Sequence, residues 1–344
     1  MNVRAPALVS IALWTAALLC LGCGLSGCGD GAGSSGDVLV VYSAGPRPLA
    51  EFACKQFTKQ TGIETQLFSA TTGQIMAKLE AEKYHPRADV VVLASRFAGE
   101  WLKRADRLRP YRPAFLTPET THEHWHDPQS YYLATSAAAV GVAVRRDHDA
   151  NDLDWSDFFD GRFQGGVVMP SPSRSGTAAD FVLGYVLAHP DTAWTDLLNL
   201  RKHGAQIAGA NSQAMTELLI GSRHAIFAAA DYLVFKEIAR GEPIVMRYPK
   251  SGVPMVERPI AIFRTTPHAD AARKFVDFYF SRPVQTEIAR LHLIPALRDV
   301  PLSPERQAAG AFKEMPIDID QGMKQQQPVL RKFQYQIERA VVVQ

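Results

Sequence analysis

Cysteine is scarce in this chain and unevenly placed. Of the four cysteines in 344 residues, Cys20, Cys23 and Cys28 crowd the start, and only Cys54 stands in the body. A body with one thiol forms no intrachain disulfide, so its fold must rest on a core. Cys54 lies among Leu49, Phe52 and Phe57, which reads as the buried face of a helix. An excess of either charge is missing as well: Lys+Arg number 37 and Asp+Glu 35. That balance leaves no basic footprint for nucleic acid. No internal repeat is evident. Neither G-x-S-x-G nor S-x-x-K occurs beyond the N-terminal segment, so two common nucleophile signatures are lacking. What remains is a chain long enough for two domains, with a hydrophobic share of 47% that suits a large core.

Residues 1–27 read as a targeting segment: Arg4 gives a positive start, and Pro6 to Gly22 is apolar apart from Ser10 and Thr15. Leu25-Ser26-Gly27-Cys28 is similar to the lipobox of bacterial lipoproteins, which implies that Cys28 is acylated and becomes the mature first residue. Plain secretion and an uncleaved anchor are the alternatives. Several acyl chains on one residue anchor stably where a single chain holds only marginally. Residues 28–36 then form the lipidated Cys and a flexible tether, GDGAGSSG.

The body is organised around Met169 to Tyr185. Gly165 to Met169 suits a buried strand, Pro170 and Pro172 end its pairing, and Ser173-Arg174-Ser175-Gly176-Thr177 follows. Ala178, Phe181, Val182 and Tyr185 then fall at helical spacing. A strand thus empties into a hydroxyl-rich loop that opens a helix, whose first amides lack internal partners and whose dipole is positive there. Such an end binds oxyanions, and Arg174 adds charge-assisted hydrogen bonds. The plainer reading is that Ser175 or Thr177 only caps the helix.

The same pattern recurs from the start. Val38 to Tyr42 is a strand ending at Ser43, with a helix over Arg47 to Lys59; Ile63 to Phe68 is the next strand, and Thr71-Thr72-Gly73 opens a second helix. Asp89 to Leu93 is a third strand, ending at Ser95. Strands alternating with helices predict an α/β fold with a mostly parallel sheet, and ligands bind off the carboxyl ends of such strands. Ser43, Thr71, Thr72 and Ser95 therefore point at one crevice, although each is also a simple cap. Tyr131 to Arg146 reads as a strand crossing between domains, and Pro249 to Pro254 as a second crossing. Ala208 to Gln213, which includes Ser212, is a further loop before a helix, and the strand ending at Ala229 runs into Asp231-Tyr232. The remainder, through Val343, is expected to be helical packing on the first domain.

With these residues in view, the chain resembles the two-domain solute-binding proteins of bacterial ABC importers, in the subgroup of ferric-ion, organophosphate and aminoethylphosphonate receptors. The stretches that carry the resemblance are Val41-Tyr42-Ser43, Ser69-Ala70-Thr71-Thr72-Gly73, Pro86 to Val91, Ser175-Gly176-Thr177-Ala178, Asp231-Tyr232 and Tyr248 to Val253. The resemblance implies two α/β lobes joined by two crossing strands that act as a hinge, closing over a solute. Residues 37–138 and 255–344 would form the first lobe and 139–254 the second. It also implies delivery to a permease in the inner membrane, no catalysis, no cofactor, and a lipid-anchored monomer in the cell envelope.

Iron-binding relatives carry adjacent tyrosines where this chain has Asp231-Tyr232, and many place His or Glu where it has Ser43-Ala44-Gly45-Pro46. Ferric ion, which wants anionic oxygen, is therefore the alternative solute, and a phosphonate or phosphate ester the expected one. The expected binding set is Ser43, Thr71, Thr72, Gly73, Ser95, Ser173, Arg174, Ser175, Gly176, Thr177, Ser212, Asp231 and Tyr232. Asp231 would meet an amine on the solute, which favours an aminoalkylphosphonate; the plainer reading makes it a strand-end turn residue. His122-Glu123-His124-Trp125-His126 matches H-E-x-x-H of zinc hydrolases, but Asp127-Pro128 ends any helix at once. A solvated loop is the expectation there, with weak surface metal binding by His122, His124 and His126 the first alternative and a catalytic zinc site the remote one.

Overall fold

Two long antiparallel strands hold the molecule together, and the computed structural model describes them within residues 38–339. The targeting segment, Cys28 and the tether lie outside the described residues. In chain order the first half runs β1 (Leu39–Ser43), α1 (Arg47–Thr61), β2 (Thr65–Ser69), α2 (Thr72–Ala81), β3 (Val90–Val92), α3 (Arg96–Arg104), β4 (Leu108–Arg109) and β5 (Leu133–Arg145). It continues with β6 (Val167–Pro170), α4 (Gly176–Ala188), α5 (Ala193–Lys202), β7 (Gln206–Ala208), α6 (Asn211–Leu219), β8 (Ala225–Ala230), α7 (Asp231–Ile238) and β9 (Ile244–Arg247). β10 (Val253–Phe263), α8 (Ala269–Tyr279), α9 (Arg282–Arg290), β11 (Ile294–Pro295), α10 (Pro304–Ala309), β12 (Glu314–Met315) and α11 (Ile319–Phe333) complete it.

The main strand order is β2-β1-β3-β10-β5-β8-β6-β7. β1, β2 and β3 pair in parallel on one side, and β6, β7 and β8 on the other. Between them, β10 and β5 pair antiparallel, from Met255 opposite Ala139 to Ile260 opposite Leu133. β5 then leaves β10 and pairs with β8 from Val140 onward. One strand therefore serves both lobes, and the fold is a two-lobed α/β structure with two crossing strands. Twelve of the thirteen residues of β5 are buried, in keeping with its alanine and valine run covered on both faces.

Local chemistry sets the helix starts. Thr71 and Gln74 form a reciprocal capping box at α2; Ser95 caps α3, and Ser175 caps α4. α1 ends at Gly62, whose φ of 74° supplies the left-handed cap. Cys54 is buried as expected, and burial pushes its thiol up to about 11.

Three expectations are corrected. The C-terminal helix does not pack on the first lobe alone: α11 lies along α4 and touches α3, and Val329, Phe333 and Ile337 join the core around Phe181 and Phe227. Apolar spacing reveals a buried face but not the wall it meets. The strand ending at Ala230 runs directly into α7, so Asp231 begins a helix and is not a turn residue. The segment around His122 to His126 is only partly solvated: Trp125 and His126 are buried at 3% and 2% exposure, while His124 is exposed and His122 and Glu123 are half-buried. No helix among the described residues is long and apolar enough to cross a membrane.

Candidate functional site

The carboxyl ends of the strands in both lobes face one cleft of about 480 Å³. The loops after β1, β2 and β3 bring Gly45, Thr71, Thr72 and Ala94 to it from one lobe. Those after β6, β7 and β8 bring Arg174, Ser175, Gly176, Thr177, Asn211, Ser212 and Tyr232 from the other. Three helices, α2, α4 and α6, begin at this cleft, and the first amides of a helix have no acceptor within it. The lobes meet at its edge. A Cβ on Gly176 would lie 2.9 Å from Thr72 Oγ1 and 3.0 Å from Ala94 O, so only glycine lets these loops approach so closely.

Of the expected residues, Thr71, Thr72, Arg174, Ser175, Gly176, Thr177, Ser212 and Tyr232 line this cleft. Several also carry out the plainer role. Thr71 Oγ1 accepts from the Gln74 amide, and Ser175 Oγ accepts from the Ala178 amide while donating to Asn211 Oδ1 at 3.1 Å. Thr72 Oγ1 accepts from the Ala94 amide at 3.2 Å, tying two loops together.

The other five lie elsewhere. Ser43 is buried and its hydroxyl accepts from the Gly45 amide, shaping the turn. Gly73, Ser95 and Ser173 face a second cavity, of about 420 Å³, on the far side of the Gly176 contact. The Ser95 hydroxyl donates to Asp180 across the lobes at 2.6 Å, and the Arg96 amide adds a bond to the same carboxylate at 3.2 Å. Burial, with Glu257 nearby, holds the Asp180 carboxyl well above the usual range. Asp231 is fully buried: its Oδ2 accepts from Arg306 Nη1 at 2.6 Å, from Tyr248 Oη at 2.9 Å and from the Ala139 amide at 3.0 Å. Its Oδ1 has no partner. With its charge matched by Arg306, Asp231 cannot serve a solute amine, and that expectation is corrected.

The residue that sequence reasoning missed is Arg258. It is 2% exposed, it lines the cleft, and its Nε and Nη1 have no hydrogen-bond partner. Its guanidinium lies 4.9 Å from the centre of the Tyr232 ring. The ladder slips by one residue between Glu257 and Pro259, so Thr135 and Ser136 of β5 together face Arg258. Such a bulge re-aims a side chain and tolerates Pro259 inside a central strand. Neighbouring Glu257 takes the opposite face, where it pairs with Arg96 at 3.1 Å. A charged pair within an otherwise apolar strand was the available signal. Arg47 and Gln74 also reach the cleft, and no Asp or Glu is among its lining residues.

The H-E-x-x-H stretch does not assemble. Glu123 Oε1 accepts from Arg112 Nη1 at 2.9 Å, and the His122 ring stacks on Trp125 at 4.1 Å. His126 Nδ1 accepts from the Ala134 amide at 3.1 Å, and its Nε2 lies 3.1 Å from Thr121 Oγ1. Among the described residues no group of three or more His, Cys, Asp and Glu is arranged to hold a metal. The zinc-hydrolase alternative is set aside on this geometry.

Residues 38–290 match the family described as bacterial extracellular solute-binding proteins. An uncharacterized protein of Haemophilus influenzae is 26% identical over 298 residues, spanning 80% of this chain and 81% of that one. Iron uptake protein A1 of Synechocystis is 20% identical over 282 residues, 77% of each chain. The periplasmic binding protein AfuA from Actinobacillus pleuropneumoniae, solved with fructose-6-phosphate bound, aligns with a TM-score of 0.78 at 20% identity, covering 89% of this chain and 100% of that one. A ferric binding protein from Campylobacter jejuni aligns with a TM-score of 0.76 at 19% identity, covering 87% and 99%. Likeness at these identities establishes the fold and leaves the solute to chemistry.

Proposed function

Because the chain belongs to the bacterial extracellular solute-binding proteins, we propose that its interlobe cleft captures a small phosphate ester or phosphonate and delivers it to an ABC permease. The observation that carries this reading is Arg258, a buried guanidinium in the wall of the cleft with two nitrogens unpaired. An unpaired buried charge is costly, so an anion on those nitrogens supplies what the protein leaves out. The starts of α2, α4 and α6 add donors from both lobes. Each terminus contributes roughly 0.3–1 kcal/mol and each charge-assisted bond about 1.5–3 kcal/mol. Together, after ordering costs, they suffice for micromolar affinity, about −8 kcal/mol.

The cleft offers no carboxylate for an ammonium group, so an ester without an amine suits it better than an aminoalkylphosphonate. Ferric ion is the second reading, supported by Tyr232 at the cleft and by iron-binding proteins among the similar structures. One phenol is a thin donor set for that ion. Lipid on Cys28 would hold the monomer at the membrane within reach of its permease.

Thermal unfolding with fructose-6-phosphate, inorganic phosphate, 2-aminoethylphosphonate or ferric citrate tests the reading. A solute binding only the folded state, at a hundredfold excess over its dissociation constant, adds about 2.7 kcal/mol. A shift of several degrees with a phosphorus compound, removed by Arg258→Met, is expected. A shift with ferric citrate alone, or one indifferent to Arg258→Met, overturns it.

A further inference from the structure

We propose that Glu338, at the far C-terminal end of the described chain, is a positioning residue for the anion-binding loop; this rests on the cleft reading above. After α11 the helix widens into a π-helical turn, Gln334–Glu338, closed by the Arg339 amide on Gln334 O. Such turns are rare and concentrate at functional sites. This one delivers a carboxylate to the loop between β6 and α4. Ser171 Oγ donates to Glu338 Oε1 at 2.6 Å, and Ser173 Oγ donates to Oε2 at 2.8 Å. One carboxylate thus grips two hydroxyls of a single loop from 167 and 165 residues away.

The grip continues inward. Ser171 Oγ also accepts from the Ser173 amide at 3.1 Å, so donation to Glu338 and acceptance from the loop backbone share one oxygen and reinforce each other. Ser171 O in turn accepts from the Arg174 and Ser175 amides. Those two residues are the ones that reach the cleft, so the clamp sets where they point. Arg174 itself is exposed, and the loop around it holds two exposed polar residues in sequence, Ser173 and Arg174. Ser171 and Ser175 anchor the ends of the loop in the core, and the exposed middle depends on a partner such as Glu338 to keep one conformation.

The helix that carries Glu338 also touches the other lobe. Asp320, near its start, pairs with Arg104 of α3 at 2.5 Å, and Gly322 sits where a Cβ would lie 2.3 Å from the Phe97 ring. α11 is therefore a strap from the first lobe to the binding loop of the second.

Two variants of the full chain, Glu338→Ala and Glu338→Gln, test the clamp. Glutamine keeps an oxygen and a donor for the two serines and loses the charge; alanine loses both contacts. Hydrogen exchange at the Ser173, Arg174 and Ser175 amides is expected to accelerate at least tenfold in Glu338→Ala, with the middle of α4 unchanged, and to recover in Glu338→Gln. Affinity for fructose-6-phosphate or inorganic phosphate is expected to fall about tenfold in the alanine variant and to return to within about threefold in the glutamine variant. Unchanged exchange in the loop overturns the proposal. So does faster exchange with unchanged affinity, which reduces Glu338 to a structural tie. A wild-type chain that binds neither probe overturns the cleft reading instead, and the exchange measurement, which needs no solute, still decides the clamp.

Discussion

Arg258 and Arg306 are buried to nearly the same depth, 2% and 4% exposed, yet their surroundings are opposite. Arg306 meets Asp231 at 2.6 Å and donates from Nη2 and Nε to the His292 carbonyl at 2.7 and 3.1 Å. It also lies over the Phe235 ring. Its charge is matched inside the fold. Arg258 has an aromatic face and no carboxylate. Burial alone does not distinguish a structural charge from a binding one; the partner count does. A guanidinium left incomplete at a cleft, while its equal is completed elsewhere, is the difference on which the proposed solute site rests.

The sharpest way to break this contrast is to remove the completed arginine. Arg306→Met leaves Asp231 buried with its charge unmatched, and breaking a buried pair on one side costs about 3–5 kcal/mol. Urea unfolding should show that loss, and adding Asp231→Asn, which removes the charge and keeps an acceptor for Tyr248 and the Ala139 amide, should restore most of it. A loss below about 1 kcal/mol would mean that Arg306 is no more integral than Arg258.

A third buried base follows a different rule: His126 is kept neutral. Burial, then the charge of Arg112, pushes its imidazole down to about 4. Its folded value is depressed below the ordinary 6.5, so its contribution is complete above pH 6.5. As pH falls, the unfolded chain takes the proton first, and stability is lost until about pH 4. The drop between those limits is roughly 3 kcal/mol, taking 1.36 kcal/mol per pKa unit. Unfolding free energies from urea titrations at pH 7 and pH 4.5 should differ by at least most of this in the wild type. His126→Gln, which keeps an acceptor for Ala134 and a donor for Thr121, should remove its share of the difference and leave that of His122, which burial also holds at about 4. An equal slope in both would assign the acid sensitivity to other groups.

Arg258→Met comes next in size and opposite in kind. Without solute, stability should hold or rise slightly, because an unmatched buried charge is gone. Affinity for the phosphate probe should fall about 10- to 100-fold, the loss of one or two charge-assisted bonds. Calorimetric titration beside urea unfolding separates the two. Lost stability with retained affinity would reverse the roles of the two arginines.

The contrast also marks how far the sequence could be read. Loops such as Thr71-Thr72-Gly73 and Ser175-Gly176-Thr177 were legible because capping is local chemistry, written within four residues. The first crossing strand was legible from its alanine and valine run. The second was expected at Pro249 to Pro254, a turn that only leads into β10, because Glu257, Arg258 and Pro259 interrupt the apolar run of the true crossing. Hydroxyl groups were not separable: Ser95 and Ser173 look like Ser175 until Asp180 and Glu338 arrive from distant segments. Asp231 was misread for the same reason, since Arg306 lies 75 residues away. Arg258 was hidden by a register slip, which no alternation rule reveals.

The smallest change bears on the partner of Arg258. Tyr232→Phe keeps the ring under the guanidinium and removes only the hydroxyl. If the cleft takes a phosphate ester, the cation–ring contact survives, and at most one neutral hydrogen bond is lost, about 0.5–1.5 kcal/mol or a few-fold to about tenfold in affinity. If the cleft takes ferric ion, Tyr232 is the single phenol among its lining residues, and its oxygen would be a metal ligand. The same substitution would then abolish binding together with any phenolate-to-iron colour. The loss of one oxygen thus separates two solute classes found among proteins of this fold, because one reads the face of the ring and the other its oxygen.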